Sequence, residues 1–166
     1  MISILGVDPG YGRTGIAHFR YEKNHLPQPE NIFTIETDPE IPREKRYLQL
    51  HKELEDFLKK NKVCFAGIEE IYLKTSMQRM NYNIEARGII ILSLALRNIP
   101  IDYFQPNSVK KAVTGSGRAG KTSVKLMVQK LLNIDHIPGP DDASDAAAIA
   151  MALWLRRKNN DCPDNR

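Results

Sequence analysis

Cysteine is scarce in this 166-residue chain. Cys64 and Cys162 are far apart and belong to no C-x-x-C pattern. That excludes a disulfide scaffold and a thiolate zinc site, and it suits a reducing cytoplasm. No apolar run reaches the ~18 residues that a membrane span needs. The first residues, Met1 to Gly6, lack a basic stretch and are soon followed by Asp8, so no secretory leader is expected. Internal repeats and low-complexity stretches are absent as well. Acidic residues are sparse in the middle of the chain. Residues 71–140 hold ten Lys/Arg against only Glu85, Asp102 and Asp135, a net charge of +7 between segments of −2 and −1. A solvated basic face is the plain explanation. Soluble surfaces usually mix signs, however, and clustered Lys/Arg neutralises phosphates, so the imbalance points to nucleic acid.

The hydrophobic fraction, 42%, and the charged fraction, 27%, are those of a globular domain. Met1–Val7 is a short apolar run closed by the turn residues Asp8-Pro9-Gly10. Gly12–Tyr21 and Asn31–Glu36 are further strand candidates, with a proline-bearing loop over Asn24–Glu30. Over Arg43–Lys60 the period becomes helical, with Tyr47, Leu50, Leu54 and Phe57 in step. Val63–Ile68 is an apolar strand ending in Glu69-Glu70. Ser76–Arg97 reads as a helix whose second half is apolar all round, either a central core helix or one that faces a partner chain. Ile99–Gln105 is a short strand, Pro106–Val113 a short helix and Lys121–Leu132 an amphipathic helix. Asp141–Lys158 is an alanine-rich last helix. The order predicts an α/β fold: a mixed five-stranded sheet in a three-layer domain over residues 1–158, antiparallel early and parallel later, with helices on both faces. Residues 159–166 are expected to form a flexible tail.

Two strand candidates end in an acid, Asp8 and Glu69. Were they parallel neighbours, both carboxylates would emerge at one sheet edge, where α/β sheets place their sites. The last helix opens with Asp141, Asp142 and Asp145, and the second and third of these share a face. The small residues that follow would let its backbone approach the sheet. Each acid has a structural alternative: a β-turn at Asp8, a solvated strand end at Glu69-Glu70, first-turn helix acids at Asp141 and Asp142. Four carboxylates brought together, though, repel and raise one another's pKa unless a cation sits among them. Oxygen donors select Mg²⁺ or Mn²⁺, and His18, His25, His51 and His136 lie outside the motifs, which disfavours zinc. Spacing alone does not choose between Glu69 and Glu70, or between Asp141 and Asp142.

Together, Ile4-Leu5-Gly6-Val7-Asp8-Pro9-Gly10 with Thr14-Gly15, Ile68-Glu69-Glu70 and Asp142-Ala143-Ser144-Asp145-Ala146 resemble the bacterial RuvC family of Holliday-junction resolvases. The resemblance spans about residues 1–157. It implies a ribonuclease H-like fold, a homodimer, and paired symmetric nicks across four-way junction DNA in recombination and repair, leaving 5′-phosphate and 3′-hydroxyl ends. It places the metal-binding and catalytic acids on Asp8, Glu69, Asp142 and Asp145, holding two Mg²⁺ ions that Mn²⁺ could replace. It also implies a base-stacking aromatic at Tyr72 and phosphate-binding lysines at Lys110 and Lys121, the latter catalytic. Arg79, Lys111, Arg118 and Lys125 are further DNA-backbone candidates. A branch-migration motor is the implied partner and the cytoplasm the implied location.

One motif points elsewhere. Gly115-Ser116-Gly117-Arg118-Ala119-Gly120-Lys121-Thr122 matches the phosphate-binding pattern G-x-x-x-x-G-K-[ST]. A nucleotide-binding loop follows a buried strand, and Ser108–Thr114, with two lysines, is no such strand. The glycine-rich loop suits DNA phosphates equally well. The alternatives are an RNA-processing nuclease of the same fold, an ATP-binding phosphotransfer domain, and a junction-binding protein without catalysis.

Overall fold

The computed structural model describes residues 1–23, 25–70 and 77–163, with no side-chain placement for 77–80. Among the described residues ten elements follow one another: β1 (Ile2–Asp8), β2 (Arg13–Tyr21), β3 (Gln28–Glu36), α1 (Arg43–Lys60), β4 (Phe65–Glu69), α2 (Met77–Ala95), β5 (Ile101–Phe104), α3 (Pro106–Thr114), α4 (Lys121–Leu132) and α5 (Asp141–Arg157). The sheet order is β3-β2-β1-β4-β5. β1, β2 and β3 are joined antiparallel, while β1, β4 and β5 run parallel. The mixed five-stranded sheet expected from the element order is therefore present, and its change of direction falls on the two sides of β1.

Strand parity divides the core. Ile4 and Phe19 pack with α5 and with Val124 and Val128 of α4. Leu5, Val7 and Ile16 point the other way, onto Leu50, Leu54 and Leu58 of α1 and Ala86, Ile90 and Leu94 of α2. α5 is buried along nearly its whole length because it lies against β1 and β2. Two glycines permit this. A Cβ on Gly6 would collide with the Ala146 carbonyl and stand 2.8 Å from the Ala150 Cβ; one on Gly15 would collide with the Asp142 carbonyl. Glycine on the sheet and alanine on the helix thus bring two backbones into contact.

Two expectations differ from the structure. β3 begins at Gln28, inside the segment read as loop, and Pro29 pairs with Phe19 beside a bulge at His18/Phe19. A proline is tolerated there because β3 is an outer strand with no neighbour on one side. Cys64 and Cys162 are joined by a disulfide, which the sparse cysteine pattern did not suggest. The Tyr21 hydroxyl donates to the Arg157 carbonyl at 3.0 Å, steering the chain after α5 back along the sheet. Asp161 meets Lys23 at 2.7 Å, so residues 161 and 162 are tied to the body.

Candidate active site

The site is assembled from strand parity and helix register. Ile4, Gly6 and Asp8 alternate toward α5, and so do Phe65, Gly67 and Glu69 on β4. Val7 pairs with Ile68 in the parallel ladder, so Asp8 and Glu69 leave adjacent strand ends on the same face. Gly15 pairs with Asp8 on its other side and carries the close approach of Asp142. Asp145 lies one helical turn further on. Glu69, Lys110, Lys121 and Asp145 line a cleft of about 260 Å³ between α3, α4 and α5.

The electrostatics reflect this crowding. Burial, reinforced by the charges of Glu69, Asp145 and Asp142, pushes the Asp8 carboxyl up to about 8, although Lys121 opposes the shift. Glu69 is raised too, by burial first and by Asp145 second, with Lys121 and Lys110 working against it. The Lys121 ammonium donates to Asp145 Oδ2 at 3.0 Å, and that contact raises its own pKa. Arg13 forms a second pair: its Nε donates to Glu36 Oε1 at 3.0 Å and its Nη1 to Asp142 Oδ2 at 3.4 Å. Among the described residues, two of the four acids therefore meet a protein cation. Among the described residues, no group of three or more acidic, histidine or cysteine side chains is already arranged to hold a metal ion. The donor set still fits a hard divalent cation, because it is all oxygen and because Asp8 pays in proton affinity for the charges around it.

The family model described as "Crossover junction endodeoxyribonuclease RuvC" matches residues 4–153. This chain belongs to the RuvC family. The RuvC of Thermotoga petrophila is 38% identical over 157 residues, covering 93% of each chain. That of Syntrophomonas wolfei is 35% identical over 150 residues, covering 90% of this chain and 87% of the relative. Among solved structures, Thermus thermophilus RuvC in complex with a Holliday junction substrate superposes with a TM-score of 0.89 at 23% identity, over 95% of this chain and 96% of that one. The ribonuclease H-like fold expected from the sequence is consistent with that match.

Of the residues that the resemblance to RuvC singled out, Asp8, Glu69, Asp142 and Asp145 converge, with Lys110 and Lys121 beside them. Lys111 lies on α3 and Lys125 on α4, each next in its helix to a cleft residue or one turn away, while Arg118 sits in the turn between the two helices. Tyr72 lies outside the described residues, as does the side chain of Arg79. The glycine-rich stretch is not a nucleotide loop, since it follows a helix: Gly115 caps α3 in the left-handed conformation, and α4 starts at Lys121. Arg13 was not anticipated. Its spacing from Asp8 suggests only a strand end, and its partner Asp142 is 129 residues away.

Proposed function

We infer that the protein is a metal-dependent endodeoxyribonuclease that resolves four-way DNA junctions by paired symmetric nicks. The observation that carries this reading is the convergence of Asp8, Glu69, Asp142 and Asp145 at the carboxyl ends of β1 and β4, with Lys121 on Asp145. In it, the four acids hold two Mg²⁺ ions, and Mn²⁺ can substitute. When bound, the ions activate a water and neutralise charge on the leaving oxygen. Lys110 and Lys121 grip the scissile phosphate beside the acids, and Lys121 stabilises the charge that develops there. Arg13 keeps the Asp142 carboxylate turned toward the sheet. Tyr72 stacks on a base, and Arg79, Lys111 and Arg118 contact backbone phosphates.

The same reading includes a homodimer. Ile84 and Leu92 of α2 and Leu96 just past its end are 43%, 56% and 67% exposed. An apolar stripe of this kind beside a buried one supports a second copy packing there. Residues 1–158 then act as one nuclease domain, working in the cytoplasm with a branch-migration motor. Among the described residues no helix is long and apolar enough to cross a membrane.

The test is a synthetic immobile junction incubated with the protein, with and without Mg²⁺, and mapping of the nicks. Symmetric nicks near the crossover are expected only with the metal. Asp8→Asn should abolish cutting and still bind the junction. Mg²⁺-dependent nicking by that variant, or preferential cutting of structured RNA by the wild type, would overturn the assignment.

A further inference from the structure

The turn that follows Asp8 is held by more bonds than a surface turn needs. The Tyr11 backbone N–H donates to Asn83 Oδ1 of α2 at 2.9 Å. The Tyr11 carbonyl accepts from the Thr37 hydroxyl at 2.8 Å, and the Gly12 carbonyl accepts from the Thr37 N–H at 3.0 Å. Arg46 of α1 donates from Nε to the same Thr37 hydroxyl at 2.9 Å, and its guanidinium lies 3.8 Å from the centre of the Tyr11 ring. Tyr47 and Tyr82 close the aromatic group, with ring centres 5.4 Å and 5.0 Å from that of Tyr11. Inside the turn, the Thr14 hydroxyl donates to the Gly10 carbonyl at 2.9 Å.

These contacts lie on the α1/α2 side of the sheet, opposite the cleft. On the cleft side, Asp145 and Asp142 each meet a cation, Lys121 and Arg13. Among the described residues Asp8 meets none at ion-pair distance, and it faces three carboxylates that repel it. Beyond its own strand and its pairing with Gly15, its position depends on the three residues that follow. We propose that Asn83 and Arg46, acting through Tyr11 and Thr37, are positioning residues that hold the Asp8 turn against this repulsion in the geometry used for cleavage. The proposal rests on the reading of Asp8 as a ligand of the reaction's metal. Neither residue touches the acids, so their effect belongs in the rate and in metal affinity rather than in the grip on DNA.

The experiment uses the full chain, a synthetic four-way junction and Mg²⁺. Asn83→Ala and Arg46→Lys should each slow single-turnover cutting by roughly tenfold or more, since small displacements of reacting groups are costly. Junction affinity in Ca²⁺ should stay within about twofold of wild type, the tolerance for a variant remote from the DNA grip. Asn83→Asp, which keeps the acceptor, should recover most of the rate. Calorimetric titration of the junction-free protein with Mg²⁺ should show weaker binding by the Ala variant. A wild-type rate in Asn83→Ala, a rate loss matched by an equal loss of junction affinity, or no recovery in Asn83→Asp would each overturn the proposal. If the wild type cuts no junction, the functional reading fails by itself, and the Mg²⁺ titration still decides the role of Asn83.

Discussion

A carboxyl group buried beside three others holds its proton far more tightly than one in water. Asp8 is such a group: its ordinary value of 3.8 rises to about 8 in the fold. The sign of the consequence follows from linkage. Where the folded pKa exceeds the unfolded one, the folded state keeps a proton that the unfolded chain has lost. The associated stability is complete below the unfolded value and disappears as pH rises through about 8. Without metal, Asp8 is therefore an increasing burden between these limits. A divalent cation binds the ionised form and removes that burden. The rise in melting temperature caused by Mg²⁺ is expected to grow steadily from acid to mildly alkaline pH, and Asp8→Asn should flatten the trend. Thermal melts in EDTA and in Mg²⁺ across that range check this; an Mg²⁺ effect independent of pH would contradict it. Arg13 shows the limit of reading single residues. Its charge was visible in the chain, but its role depends on Glu36 and Asp142, which only folding brings to it.

α5 carries two acids to the sheet, and its closeness to β1 and β2 decides where they stop. Gly15→Ala would force a Cβ into the Asp142 carbonyl. Overpacking of this kind costs about 1–3 kcal/mol, and here the displaced backbone bears a site residue. Loss of cutting by more than about tenfold is expected, with a lower melting temperature and retained junction binding. Single-turnover rates and binding titrations separate these effects. Much at this scale was legible in the chain. The helical period of α1 follows from Tyr47, Leu50, Leu54 and Phe57, of which Leu50 and Leu54 are buried, and the approach of α5 follows from its alanines. The start of β3 was hidden because Pro29 reads as a loop residue, and only the outer position of that strand makes it acceptable. Asn83 was hidden for a related reason. It lies at the polar start of a helix with no signature of its own, and its partner is a backbone N–H 72 residues earlier.

Across the whole molecule, the Cys64–Cys162 bond closes a loop of 98 residues. Constraining an unfolded chain over such a length stabilises the fold by about 4–5 kcal/mol in the loop-closure picture. Reduction, or Cys64→Ser, is expected to lower the melting temperature by on the order of 10 °C. Cutting at 25 °C should be unchanged, because Cys64 precedes β4 while the acids sit at the far end of that strand. Melts with and without reductant, paired with nicking rates, test both parts. A melting temperature indifferent to reductant would mean that the bond does not form in solution. The two faces of the sheet also divide the work. The α3–α5 side forms the cleft and its lysines, while the α1–α2 side holds the turn after Asp8 and presents the exposed stripe of α2.

The sequence by itself determined the element order, the two-sided sheet, the basic middle and the short list of acids, because periodicity, turn chemistry and charge are local properties. Only the tertiary structure decided which strands are neighbours, that Asp8 and Glu69 share a face, that Arg13 reaches Asp142 and Asn83 reaches Tyr11, and that the two cysteines meet. Those pairings join residues tens to more than a hundred positions apart. The energy that selects them lies in packing and desolvation, which no short stretch of chain expresses before the sheet and its helices have closed.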